Sequence, residues 1–281
     1  MKINLAKSAG FCFGVKRAIA ITLQATKTEN SIVMLGDIVH NEDVVKQIQL
    51  AGVKKISRLS NGKGKTLLIR AHGCSINTLE RASRLGYKII DATCPMVKEI
   101  HNIAKKLEDT GYQIIVIGDK FHDEVKGIIG QLKSKAIVID KLKNIPIGKI
   151  KNIRKVGIVV QSTQNLDNVE EIVSVLRKYI PEVEFHKTIC NPTKIKQNEA
   201  KIMPLENDTM IIIGSKISAN TKRIYEISKS INKNSYWINS TREIKKSWFK
   251  NTLSLGITAG ASTPESTIYK ITQKIKTICS A

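Results

Sequence analysis

No apolar run in the chain reaches the ~18–20 residues needed to span a bilayer. The first residues, Met1-Lys2-Ile3-Asn4, lack the apolar core of a signal peptide. The chain therefore reads as a soluble, non-exported, cytoplasmic protein with no membrane partner. Aromatic residues make up only 5% of it, so platforms for stacking bases are scarce. Nucleic acid is thus not expected as a partner, although the formal net charge is +22. The lysines are scattered over helix faces and loops, with one denser run from Lys141 to Lys155. Such a basic field suits an anionic substrate or an acidic redox partner. No Cys-x-x-Cys pair exists, which argues against a zinc ribbon or a thioredoxin-type site. The five cysteines (Cys12, Cys74, Cys94, Cys190, Cys279) are odd in number and widely spread. Disulfide staples are rare in a non-exported chain, so metal binding or catalysis is the better use for them. No low-complexity linker interrupts the chain, so its domains should pack together, and no sequence repeat is visible beyond the recurring strand–turn–helix unit.

What is present centres on Ala9-Gly10-Phe11-Cys12-Phe13-Gly14-Val15-Lys16-Arg17. Gly10 and Gly14 allow a tight turn around the cysteine. The spacing Val15/Ile19/Leu23 then predicts a helix, whose N-terminus would favour the thiolate. Cys94 in Asp91-Ala92-Thr93-Cys94-Pro95 and Cys190 in Thr188-Ile189-Cys190-Asn191-Pro192-Thr193 have similar settings. Each of the three cysteines opens roughly a third of the chain. The expectation is three domains, 1–94, 95–189 and 190–281, with Cys12 near the start of the first and Cys94 and Cys190 at the two boundaries, so that the three domains meet at one shared site.

Short β-branched runs alternate with helical periodicity along the whole length. Strands are expected at 32–35, 66–69, 88–90, 114–117, 136–139, 156–160, 183–185, 209–213, 236–238 and 253–257. This alternation predicts an α/β fold with mainly parallel sheets. Ligands in such sheets bind beyond the carboxyl ends of the strands. Polar motifs recur there: Val39-His40-Asn41, Arg70-Ala71-His72-Gly73, Gly118 through Val125 with His122 and Glu124, Gln161-Ser162-Thr163-Gln164, Gly214 through Thr221, and Thr258 through Pro264. Histidines, hydroxyls and glycine-rich backbone donors suit a phosphate-like anion. A carboxyl at Glu124 could carry a proton to substrate, or simply stabilise the first turn of a helix. Ser162 and Thr163 could extend a proton relay or cap a helix. His101 and His186 read as surface or structural residues, and Cys279 and Cys74 as packing residues. Three cysteine ligands could hold zinc with a fourth ligand, or an iron–sulfur cluster with one iron open. Zinc sites usually draw a pair of ligands from one short segment, which favours the cluster.

Taken in order, nine motifs resemble those of the 4-hydroxy-3-methylbut-2-enyl diphosphate reductases, the IspH/LytB family, over essentially the full length. They are Gly10-Phe11-Cys12-Phe13-Gly14-Val15, Val39-His40-Asn41, Ala71-His72-Gly73, Asp91-Ala92-Thr93-Cys94-Pro95, His122-Asp123-Glu124-Val125 with Gly127, Gln161-Ser162-Thr163, Ile189-Cys190-Asn191-Pro192-Thr193, Gly214-Ser215-Lys216 through Asn220, and Thr258-Ala259-Gly260-Ala261-Ser262. The resemblance implies three small α/β domains in a pseudo-threefold arrangement around a central [4Fe–4S] cluster. Cys12, Cys94 and Cys190 would be its ligands, leaving one iron open. His40, His72, His122, Ser218, Asn220 and Ser262 would hold the diphosphate. Glu124 would deliver protons, with Ser162 and His122 in the same catalytic group. The implied reaction is the two-electron, two-proton removal of the substrate hydroxyl. It gives isopentenyl and dimethylallyl diphosphates, the last step of the non-mevalonate isoprenoid pathway. The implied electron donor is a ferredoxin or flavodoxin.

Three positions depart from the family's usual residues. Ser162 stands for threonine, Ala219 for serine and Lys196 for arginine. These bear on affinity and turnover rather than on the reaction class. The residues alone also admit two rival readings. A cluster-dependent dehydratase would need no external electrons. A basic nucleic-acid binder would show salt-sensitive affinity for polyanions.

Overall fold

A computed structural model describes residues 1–280. Strand β1 (Lys2–Leu5) leads to helix α1 (Phe13–Thr28). Then follow β2 (Ile32–Leu35), α2 (Glu42–Leu50), β3 (Lys54–Ile56), β4 (Thr66–Ile69), α3 (Ile76–Arg84) and β5 (Lys88–Asp91). Next come α4 (Pro95–Asp109), β6 (Gln113–Ile117), α5 (Asp123–Ile129), β7 (Ile137–Ile139), α6 (Ile147–Ile150), β8 (Lys155–Val160), α7 (Leu166–Tyr179) and β9 (Glu182–Phe185). The last stretch holds α8 (Asn191–Glu206), β10 (Thr209–Ile213), α9 (Ala219–Ile231), β11 (Ser235–Ile238), β12 (Ser254–Ala259) and α10 (Glu265–Ser280). The strands form three four-stranded sheets, ordered β1-β12-β10-β11, β3-β2-β4-β5 and β7-β6-β8-β9. Every pairing is parallel. The fold class is therefore as expected: three α/β domains built on parallel sheets.

The chain forms two compact units. The first comprises 1–16, 39–46 and 191 onward; the second comprises 17–38 and 47–190. Sequence order suggests that residues 1–94 stay together. The structure corrects this, because β1 pairs with β12 and so belongs to the C-terminal sheet. Its signal is weak: the four residues Lys-Ile-Asn-Leu form an edge strand whose outer positions are exposed.

In the first unit, alternation along β10 sends Ile211 and Ile213 to one face and Met210 and Ile212 to the other. Ile211 and Ile213 pack with Ile268, Ile271 and Ile275 of α10. Met210 and Ile212 pack with Ala200 of α8 and Ile224 and Ile227 of α9. In the second unit the β6/β8 sheet is covered in the same way. Ile115, Ile117 and Ile158 meet Val169, Ile172 and Leu176 of α7. Ile114, Val116 and Val159 meet Ile100, Ala104 and Leu107 of α4 and Val125 of α5. Burial on both faces explains why these strands are continuous apolar runs.

The three sheets share one topology. An inner strand comes first, then an edge strand, a second inner strand and the opposite edge strand. In the second unit these are β2-β3-β4-β5 and β6-β7-β8-β9. In the first unit they are β10-β11-β12 and, closing the pattern, β1. The repeat is also present in the sequence at equal offsets. Leu35-Gly36-Asp37, Ile117-Gly118-Asp119 and Ile213-Gly214-Ser215 end the first inner strands, and His40, His122 and Ser218 follow at the same distance. Each of these glycines donates its N–H to the neighbouring edge strand: Gly36 to Ile56 at 3.4 Å, Gly118 to Ile139 at 2.9 Å and Gly214 to Ile238 at 2.9 Å. Gly214 has φ +151°, and a Cβ there would lie 2.7 Å from the hydroxyls of both Thr221 and Thr263. Gly214→Ala is expected to lower stability by about 2–4 kcal/mol, through a strained φ and overpacking. Chemical denaturation measures this directly.

Candidate active site

Each of Cys12, Cys94 and Cys190 is the residue immediately before a helix: α1, α4 and α8 respectively. All three are half-buried. Their settings repeat. The edge strand before each cysteine extends its ladder past its own end, through Ala6 N–H to Ile257 O (2.8 Å), Ala92 N–H to Ile69 O (3.0 Å) and His186 N–H to Ile158 O (2.9 Å). The cysteine N–H then reaches the loop after the second inner strand. Cys12 donates to Ala261 O (3.1 Å), Cys94 to Ala71 O (3.0 Å) and Cys190 to Ser162 O (3.1 Å). Cys94 is the N-cap of α4 and makes no side-chain capping bond. A sulfur at a helix N-terminus that is not used for capping suits a thiolate ligand, because the helix dipole favours the anion. The other two cysteines lack this setting. Burial pushes the Cys74 thiol up to about 11, and Cys279 is exposed on the terminal helix.

Glu124 is the second residue of α5 and is 1% exposed. One carboxylate oxygen accepts the Ser162 N–H at 2.5 Å, and the other accepts the Ser162 hydroxyl at 2.8 Å. Burial raises its pKa above the ordinary carboxylate value, and the two Ser162 bonds only partly offset that. Ser162 thus touches the acid with its N–H and hydroxyl, while its carbonyl holds Cys190. His122 caps the same helix, its Nδ1 accepting the Glu124 N–H at 3.1 Å. With Nδ1 accepting that bond, the neutral ring carries its proton on Nε2. The rings of His72 and His122 meet edge to face, with centroids 5.5 Å apart.

In the first unit, the Ser262 hydroxyl donates to His40 O at 3.0 Å. Ser215 donates its hydroxyl to Glu42 at 2.9 Å, tying the His40 loop to the loop that carries Ser218. Ser218 caps α9, its oxygen accepting the Thr221 N–H at 3.3 Å. Asn220 is 4% exposed, and neither its Nδ2 nor its Oδ1 has a hydrogen-bond partner among the described residues. A buried amide without partners costs free energy, so it points to a polar ligand. Lys196 is also buried, and its ammonium donates to Ser8 O and to Ala259 O. Burial lowers its pKa to about 8. The lysine therefore braces the segment leading to Cys12 against the end of β12. Lys196→Ala is expected to cost about 2–5 kcal/mol, through lost stem packing and two orphaned carbonyls. A shift of the denaturation midpoint at unchanged m-value is the check.

A family model described as LytB protein matches residues 3–276. The chain belongs to that family. It is 43% identical to the 4-hydroxy-3-methylbut-2-enyl diphosphate reductase of Campylobacter hominis, covering 99% of this chain and 100% of that protein. It is 39% identical to the enzyme of the same name from Aquifex aeolicus, over 99% of this chain and 96% of the relative. Among solved structures, one titled as (E)-4-hydroxy-3-methyl-but-2-enyl diphosphate reductase, the terminal enzyme of the non-mevalonate pathway, matches with a TM-score of 0.72. It is 39% identical, with 99% and 100% of the two chains covered. The Plasmodium falciparum reductase matches with a TM-score of 0.90 at 28% identity, over 100% of this chain and 88% of that one.

Within this LytB-family chain, several site residues escape sequence reasoning. Arg70 and Asp123 form an ion pair at 2.6 Å, and Glu42 holds Ser215. The signal for Glu42 is the internal repeat. Aligning 34–44, 116–126 and 212–222 places Glu42, Glu124 and Asn220 at one position. The two remaining histidines stand apart from these contacts. His186 pairs with Glu184 at 2.8 Å. His101 is buried behind the His72 turn, where burial lowers its pKa to about 4. No helix among the described residues is long and apolar enough to cross a membrane.

Proposed function

We propose that this chain reduces 4-hydroxy-3-methylbut-2-enyl diphosphate to isopentenyl and dimethylallyl diphosphates. One observation carries the reading: a fully buried carboxyl of raised pKa is held by the same residue, Ser162, that anchors Cys190. Cys12, Cys94 and Cys190 would hold a [4Fe–4S] cluster. When bound, that group supplies electrons and an open iron position for the substrate hydroxyl. The donor set fits it: three half-buried thiols, each at a helix start, with none of the close cysteine pairs that zinc sites favour.

The protein's own residues supply the rest. Hydroxide is a poor leaving group, so the departing oxygen needs a proton. Glu124, whose pKa burial raises, donates it and leaves water. Ser162 fixes the orientation of that carboxyl and offers its hydroxyl to the same oxygen network. His40, His72 and His122 present imidazole N–H groups to the diphosphate, and Ser218, Asn220 and Ser262 add neutral donors. Remote binding of the diphosphate positions the alcohol for reaction. The balance is two electrons and two protons consumed, one C–O bond broken and one water released. A ferredoxin or flavodoxin is the electron donor in this reading. The net charge of +22 suits such acidic partners. The cytoplasm is the compartment.

The test is turnover by anaerobically reconstituted protein with a reduced viologen dye. Dye oxidation matched by both isoprenoid diphosphates is expected. Release of water without consumption of reductant would instead make the chain a dehydratase.

A further inference from the structure

We propose that the Arg70–Asp123 ion pair is a positioning device that sets the affinity of this site for diphosphate. The proposal rests on the reading of His72 and His122 as diphosphate ligands. Arg70 Nη1 lies 2.6 Å from Asp123 Oδ2, and the two side chains are only 19% and 24% exposed. Each partner sits beside a site histidine. Arg70 is the first residue after β4, and its carbonyl accepts the Gly73 N–H at 3.0 Å, closing the turn that carries His72. Asp123 is the first residue of α5, between His122 and Glu124. The guanidinium also lies against Gly36, where a Cβ would come within 2.7 Å of Nη1. Gly36 begins the loop that runs on to His40. One guanidinium thus joins the ends of β2 and β4 to the start of α5, and the edge-to-face contact of His72 with His122 lies beside this clamp. Where the pair is half-buried it holds one geometry better than an exposed pair does.

A simple field effect makes a different prediction. Through charge alone, removing Arg70 weakens anion binding and removing Asp123 strengthens it. A positioning role makes both losses weaken it. The experiment measures binding of inorganic diphosphate by calorimetry, and KM and kcat for the substrate, on the reconstituted holoenzyme. The variants are Arg70→Ala, Asp123→Asn, their double, the swap Arg70→Asp/Asp123→Arg, and His72→Ala as benchmark. Thermal unfolding is followed for each.

The expected result is that Arg70→Ala and Asp123→Asn each weaken diphosphate by about fivefold or more. The double should be no worse than the worse single, as coupled residues behave. KM should rise with little change in kcat, and the swap should recover part of the affinity. Tighter binding by Asp123→Asn, or single effects that simply add, would overturn the proposal. So would singles that shift only the unfolding temperature while His72→Ala weakens binding. If His72→Ala itself left diphosphate affinity unchanged, the reading of the histidines would fail first and the proposal with it.

Discussion

Glu124→Gln is expected to lower turnover by roughly 10²–10⁴-fold, the usual contribution of a positioned proton donor. Substrate KM should change little. The amide keeps the shape of the carboxyl and can still accept the Ser162 N–H at the oxygen now 2.5 Å away. It has no acidic proton to give to the leaving hydroxyl. Stability should move in the opposite sense from activity. Burial is the largest influence on this carboxyl and raises its pKa in the folded state. Between the unfolded value near 4.5 and the raised folded value, the native state holds the proton more tightly than the unfolded chain does. The wild type therefore loses stability as pH rises through that window. Below it this contribution is fully present. Glu124→Gln has no proton to lose, so denaturation midpoints measured across pH should converge in acid and favour the variant as pH rises. Full turnover by Glu124→Gln would remove the proton-donor assignment.

Serine at any one of Cys12, Cys94 or Cys190 is expected to abolish stable iron binding, and turnover should fall to background. A serine hydroxyl is a harder and far less acidic ligand than a thiol at a helix start. The backbone need not change, because the N–H bonds to Ala261, Ala71 and Ser162 use no side-chain atom. Iron content, visible absorption and Mössbauer spectra of anaerobically purified protein separate the cases. Cys74→Ser and Cys279→Ser should keep wild-type iron. Cys74 packs among the partly buried hydrophobics beside Ala82 and Tyr87, and Cys279 is exposed. Wild-type iron and turnover in Cys94→Ser would exclude Cys94 as a ligand.

The alternation of β-branched runs with helical spacing marked ten of the strands to within a residue or two at each end, most plainly the inner strands, which are buried on both faces and read as continuous apolar runs. The strands β1 and β3 escaped. Both are short edge strands carrying lysine. The threefold repeat also escaped. Its units share only a glycine, a histidine or serine, and the spacing between them, while the packing residues vary freely.

The residue chemistry was legible in the chain by itself. Turn residues around Cys12, Cys94 and Cys190, and histidines and hydroxyls just beyond strand ends, are local patterns of a few residues. Local patterns survive in sequence because backbone geometry dictates them. Only the tertiary structure decided what depends on distant partners. The burial that raises the Glu124 pKa comes from packing around α5, and the hydrogen bonds that partly offset it come from Ser162, 38 positions away. The Arg70–Asp123 clamp spans 53 positions, and β1 finds its place beside β12 across nearly the whole chain. Contacts of that reach are set by how whole sheets and helices pack, and no short stretch of sequence carries them.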